Sequence, residues 1–168
     1  MRRVLRAAMV APLVVLAIAG AGQAQVTVHR NVATLALDQG VIAIDALSNG
    51  HILVGASTSA GTATIPLTVF AARQFTDSTR RIIAHRVPVS RRERVYHSLA
   101  TAEHSGAGVS FARHVTRGAN VYRFFFSRDD ATGFPLDVSA RELKLVIEAL
   151  QKGVREARTL TAAADTAH

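Results

Sequence analysis

The sequence predicts an α+β protein of two ββββα units, with antiparallel curved sheets each packed by one helix. Three observations carry that prediction. A short phrase is written twice, "TIPLTVFA" at 64–71 and "GFPLDVSA" at 133–140, so that Pro66/Pro135, Leu67/Leu136, Val69/Val138 and Ala71/Ala140 match. Runs with the period-two alternation of strands precede each copy, and apolar residues at helical spacing follow each. The units fall at about 26–86 and 90–158, within one domain spanning 25–158.

Residues 1–24 stand outside that domain. Arg2, Arg3 and Arg6 precede an uncharged apolar run from Ala7 to Ala19, and Gly22-Gln23-Ala24 offers small residues for cleavage before Gln25. That is the layout of a secretory signal peptide, so the protein is expected to be exported, periplasmic or extracellular. The rival reading is a membrane anchor. A span needs about 20 apolar residues, and this run has 13 and contains Pro12. No transmembrane span is expected once the signal is removed.

The first unit opens with "NVATLAL" (31–37), "VIAIDAL" (41–47) and "HILVGAST" (51–58). Ser48-Asn49-Gly50 divides the last two runs, and Asn-Gly is a strong hairpin signal. "IPLTV" (65–69) reads as the fourth strand, with Pro66 at an edge or start where a missing N–H is tolerated. A helix follows to about residue 86. Ala71, Phe75, Ser78, Ile82 and Ile83 fall near one face, Arg80, Arg81, His85 and Arg86 gather at its end, and no good N-cap is visible.

The second unit begins with "RVYHSLATAE" (94–103). Alternation reads it as a strand; the Ser90/Glu93 capping-box spacing offers a helix instead. Next, "GVSFARHVTRGANVYRFFFSRD" reads as a hairpin about Gly118. Pairing Val115 with Tyr122, Arg113 with Phe124 and Phe111 with Phe126 makes one face nearly all apolar. The other face then carries His114, Arg123 and Phe125. The opposite parity would set Arg113 against Arg123, and like charges repel across strands. "FPLDV" (134–138) is the last strand. Ser139 and Glu142 have capping-box spacing, and Leu143, Val146, Ile147, Leu150 and Val154 form one helical face, so a helix is expected from 139 to about 157. Lys152, Arg155 and Arg158 then serve its C-terminal dipole, and 159–168 is a flexible tail. Phe75 and Leu143 are read as corresponding helix positions.

Tandem ββββα units, together with "IPLTVFAARQF" (65–75), resemble the PUR-repeat and Whirly group of single-stranded nucleic-acid binders. That segment is similar to the strand-to-helix junction of PUR repeats. The resemblance covers most of the chain beyond the signal, and it implies single-stranded nucleic-acid binding as one expectation. The signal-like segment points away from it, because that group works inside cells or organelles.

Formal charge is +8, from 20 Lys+Arg and 12 Asp+Glu. Removing Arg2, Arg3 and Arg6 leaves +5. Residues 80–97 alone supply +5, through Arg80, Arg81, Arg86, Arg91, Arg92 and Arg94 against Glu93. The basicity is therefore local. Such a patch suits an anionic partner: a lipid headgroup, an acidic glycan or nucleic acid. The bland reading is a solvated helix end and linker. Aromatics also cluster. Phe111, Tyr122, Phe124 and Phe126 are expected in the core, and Phe125, beside His114 and Arg123, is the aromatic expected to meet a ligand.

Catalytic signals are weak. With no cysteine in the chain, disulfides, thiol nucleophiles and thiolate metal sites are excluded. The seven histidines form no H-E-x-x-H, and neither Ser57 nor Ser59 in "GASTSAG" makes G-x-S-x-G; that stretch reads as a flexible connection. "SRDDATG" (127–133) lacks the alternating carboxylates of a calcium loop. The expectation is a non-catalytic binding or structural domain without cofactor, catalytic residues or metal. An enzyme whose site is assembled from distant residues is the remaining alternative.

Overall fold

The computed structural model describes residues 27–85, 94–103, 105–116, 119–128 and 132–166. The signal-like segment, Arg86, Arg91, Arg92, Gly118 and the Asp129-Asp130 turn lie outside them. The elements run β1 (His29–Leu37), β2 (Gly40–Leu47), β3 (His51–Thr58), β4 (Gly61–Thr68), α1 (Val69–Ala84), then β5 (Arg94–Thr101), β6 (Gly108–Thr116), β7 (Ala119–Ser127), β8 (Gly133–Val138) and α2 (Ala140–Asp165). Two antiparallel sheets result, ordered β1-β2-β3-β4 and β5-β6-β7-β8. The protein is thus α+β with two ββββα units. Residues 94–101, open between strand and helix in the sequence, are a strand.

Each sheet is a meander because its turns are short. Asp38-Gln39 and Ser59-Ala60 join neighbouring strands with two residues each, and Gly50 takes φ 79° after Asn49. That left-handed conformation is what glycine permits at no steric cost. The supposed flexible connection "GASTSAG" is therefore ordered: 55–58 lie in β3 and Gly61 opens β4. Both prolines sit on edge strands. Pro66 of β4 faces Leu53 of β3, and Pro135 of β8 faces Phe125 of β7. Leu67 and Leu136 are both fully buried, so the repeated phrase plays the same part twice.

The equivalence slips after the prolines. Thr68 caps α1, its Oγ1 accepting from Ala71 N at 3.1 Å, whereas Ser139 caps α2. Val69 is already helical while Val138 is still strand. One more strand residue therefore follows Pro135 than Pro66, and the cap comes four residues after Pro135 but two after Pro66. Counted from the caps, Ala72 matches Leu143 and Phe75 matches Val146, which corrects the pairing of Phe75 with Leu143. The buried face of α1 is also shifted, comprising Ala72, Phe75, Thr76 and Thr79, not Ala71 and Ser78. Its polar members are satisfied: Thr76 donates to Ala72 O at 2.7 Å, and Thr79 and Ser98 share a hydrogen bond of 2.7 Å.

Helix α2 carries a complete capping box between Ser139 and Glu142. Hydrogen bonds from the backbone N–H groups of Ser139 and Asp38 hold the Glu142 carboxyl below the usual carboxylate range. Ser139→Ala is expected to lower stability by about 0.5–2 kcal/mol, read from urea melts; an unchanged midpoint would mean that Glu142 and Asp38 hold this end alone. The helix does not stop near 157. It continues to Asp165 with Ala157 and Leu160 buried, so the flexible-tail reading fails up to that point. Alanine-rich "TAAAD" lacks an apolar stripe but has the composition that sustains a helix.

The helices are exchanged between the units. α1, which follows the first sheet, lies on the second: Phe75 meets Phe124 with ring centroids 6.5 Å apart, and Thr79 bonds Ser98. α2, which follows the second sheet, lies on the first. Gly153 comes so close to β2 that an added Cβ would stand 2.8 Å from Ile44 Cγ2. Arg30 pairs with Glu156 at 2.9 Å, and Asp38 N donates to Glu142 at 2.7 Å. Both sheets and both helices share one contiguous core.

The β6–β7 register keeps the expected parity but is displaced by two residues. Phe111 faces Phe124, Arg113 faces Tyr122 and Val115 faces Asn120. Strand pairing reaches Thr116↔Ala119, so the turn lies one residue earlier than expected. Aromatic stacking favours this register, with Phe111 stacked on Tyr122 and tilted against Phe124.

Candidate functional site

The residues singled out in the sequence divide between two surfaces. Arg80 and Arg81 are exposed on α1. Arg94 opens β5, and Arg86, Arg91 and Arg92 fall outside the described residues. His114, Arg123 and Phe125 lie on the face of the second sheet turned away from α1. The described arginines of α1 and this trio are therefore on opposite sides of that sheet.

The outward face of the second sheet is built in cross-strand rows, Val95–His114–Val121, His97–Ala112–Arg123–Asp137 and Leu99–Ser110–Phe125–Pro135. Phe125 is 40% exposed and Leu99 66%. Arg123 already has an anionic partner on its own sheet. It grips Asp137 with two hydrogen bonds of 2.5 and 2.8 Å. That bidentate contact depresses the Asp137 carboxyl and raises the guanidinium still further. This face thus mixes apolar side chains with His97, His114 and Ser110 around a mutually neutralised pair. Phe111, Phe124 and Phe126 are buried as expected, with Tyr122 partly so.

Charge without partners collects elsewhere, along the seam between the helices. Arg80 and Lys144 share one cleft, while Arg73, Arg155 and Arg158 share another, so α1 and α2 run antiparallel. Gln151 borders both clefts. From Lys144 to Arg158 the trough extends about 21 Å, at about 1.5 Å per helical residue. Five cations line it against two carboxylates, Asp77 and Glu148. Arg73 lies 3.8 Å from Asp77, and Lys144 lies 4.0 Å from Glu148; both are exposed contacts within one helix, a class worth little. The side chains of Arg80, Arg155 and Arg158 have no hydrogen-bond or ion-pair partner among the described residues.

Sequence reasoning found Arg80 but assigned Arg155 and Arg158 to the helix end. With α2 running to Asp165 they are interior to the helix, and the dipole account lapses. The signal that was present is spacing: Gln151, Val154, Arg155 and Arg158 recur at i, i+3, i+4 and i+7, one stripe beside the buried face.

A second missed residue is Arg113, only 7% exposed on the inward face of β6. Its guanidinium donates to the carbonyls of Ile82, Ile83 and His85 at 2.8, 3.3 and 2.7 Å, and to Asn120 Oδ1 at 2.8 Å. Those carbonyls belong to the end of α1, where helical partners run out. Arg113 therefore caps α1 from the second sheet and fixes where Arg80 and Arg81 stand.

Other candidates find structural partners. Ser57 meets Thr62 across the hairpin at 3.1 Å. His29 lies 3.4 Å from Asp45, and His51 lies 3.9 Å from Glu103. Among the described residues no group of three or more His, Asp or Glu is placed to hold a metal ion, and no helix is long and apolar enough to cross a membrane. No protein-family model, curated protein or solved structure matches the chain. The likeness to PUR-repeat and Whirly proteins thus rests on element order and the "IPLTVFAARQF" junction.

Proposed function

We propose that this protein is an exported, non-catalytic binding domain that holds an anionic partner along the seam of its two helices. One observation carries the reading: Arg155 and Arg158 stand over a cleft with Arg73, without carboxylate partners of their own among the described residues. Unpaired guanidiniums in a concave surface favour phosphate, sulfate or carboxylate groups, which they contact bidentately. Export is supported by the arginines and short apolar run at the start of the chain.

A sulfated polysaccharide column and a fluorescent single-stranded oligonucleotide test the reading together. Arg155→Gln/Arg158→Gln is expected to elute at lower salt than the protein itself, and to reduce the slope of log affinity against log salt by about one per lost contact. The same charge change at Arg141 and Lys152, which do not border the trough, should have a smaller effect. Equal effects from both pairs would mean attraction by net charge alone, without a site. The nucleic-acid reading has its own supporting feature in the exposed Phe125 ring. If Phe125→Ala, not the arginine pair, abolishes oligonucleotide binding, the site belongs on the outward face of the second sheet.

A further inference from the structure

We infer that the end of the seam near Arg80 and Lys144 is a site for a single-chain anionic amphiphile, a carboxylate or phosphate carried on an alkyl chain. The inference rests on the anion-binding reading of the helix pair and adds an apolar compartment to it. Here the helices leave a cleft of about 460 Å³, within the range of about 300–1,000 Å³ usual for small-molecule sites. Its interior is hydrocarbon. Leu143 and Ile147 of α2 form one side, Ile83 and Ala84 of α1 the other, and the ring of Tyr122 on β7 contributes from the sheet. Its cations lie one on each helix: Arg80 on α1 and Lys144 on α2.

This division of chemistry selects the ligand. A small inorganic anion has no use for apolar walls. A polyanion would leave the accessible lining of Ile83, Ala84 and Tyr122 facing its charged backbone, an unfavourable burial of charge against hydrocarbon. An amphiphile satisfies both parts, its chain between the helices and its head against the two cations. Glu148, also on the lining, repels an anionic head, but one carboxylate opposes two cations, Arg80 and Lys144, and the balance favours the anion. The other cleft differs: it holds about 210 Å³ and is bordered by three guanidiniums, which suits a charged group without a chain.

Titration calorimetry with dodecanoate, dodecanol and acetate tests the inference. Dodecanoate should bind, with dodecanol and acetate each about tenfold weaker or worse, the loss of roughly one strong interaction. Ala84 and Ala140 border the cleft and are exposed, so Ala84→Trp, and Ala140→Trp from the opposite helix, should fill it without disturbing the core. Each should weaken dodecanoate about tenfold with the thermal midpoint unchanged, as should Arg80→Glu/Lys144→Glu. Unaltered binding in both tryptophan variants overturns the site. Phosphatidylglycerol vesicles separate a free acid from a membrane: capture by vesicles without binding of monomeric dodecanoate also overturns it, and points to surface attraction. No binding of dodecanoate with polysaccharide retention intact defeats this inference alone. Loss of retention as well defeats the anion-binding reading beneath it.

Discussion

Gly153→Leu is expected to prevent the protein from folding, and Gly153→Ala to destabilise it measurably. Gly153 lies in the middle of α2, where glycine normally costs about 1 kcal/mol relative to alanine. Propensity alone therefore predicts a gain on substitution. Packing opposes it. The new Cβ would stand 2.8 Å from Ile44 Cγ2 and 3.8 Å from Ile52 Cγ2, and both isoleucines are fully buried. A branched methyl in a close-packed core has little room to retreat. Overpacking of this kind costs about 1–3 kcal/mol for small additions, so alanine should still lose about 1 kcal/mol net. Leucine must push α2 off the first sheet. The whole domain has only about 5–15 kcal/mol to lose. Urea melts followed by circular dichroism decide the matter; Gly153→Ala as stable as the parent or more so would mean that α2 does not approach the first sheet this closely.

The consequence is wider than one contact because the helices are exchanged. The first sheet is covered by a helix that the chain supplies about 100 residues later. Loss of α2 from that sheet strips Ile42, Ile44, Ala46 and Ile52 of cover. In the same step it removes the wall of the seam that carries Lys144, Arg155 and Arg158. A Gly153 variant that still folds partially should thus lose anion binding together with stability.

What could be read from the sequence follows the range of the interactions concerned. Strand alternation, the Asn49-Gly50 turn, the edge prolines and the Ser139/Glu142 capping box are set within a few residues, and each reappears in place. The helix exchange was not legible. Leu143, Val146, Ile147 and Leu150 state that α2 has an apolar face, but an apolar face does not name the sheet it meets. The α2 terminus was missed because alanine sustains a helix by propensity without leaving a stripe. That error hid the seam, since Arg155 and Arg158 were explained as dipole partners of an end that lies further on. Thr76 and Thr79 were missed for a related reason. Their hydroxyls are buried only because Ala72 O accepts from Thr76 and Ser98 shares a hydrogen bond with Thr79, and Ser98 belongs to the other unit. Parity placed Arg113 on the apolar face of β6 correctly, yet gave no sign of what it would bond there.

Arg113→Met is expected to cost about 3 kcal/mol, the penalty of leaving buried acceptors without donors. Methionine matches the length and apolar stem of arginine, so packing is largely kept and hydrogen bonding is tested. Replacing a buried ion pair by hydrophobic residues can be neutral when both partners go. That escape is closed here. The acceptors are the backbone carbonyls of Ile82, Ile83 and His85, which no side-chain substitution removes, and a helix C-terminus also loses the favourable effect of a nearby cation. Arg113→Lys should fall between, because one ammonium can serve some of these carbonyls but cannot also reach Asn120 Oδ1 in the fixed geometry of a guanidinium. Hydrogen exchange adds a local signature. The amides of the last turn of α1 should lose protection in Arg113→Met before those of α2, since the fastening lost is at Ile82–His85. Ile83 and Ala84 of that turn line the cleft and Arg80 stands just before it, so dodecanoate affinity should fall in parallel even under conditions where the variant remains folded. Stability equal to the parent, with unchanged exchange at residues 82–85, would show that Arg113 is not what holds α1 to the second sheet.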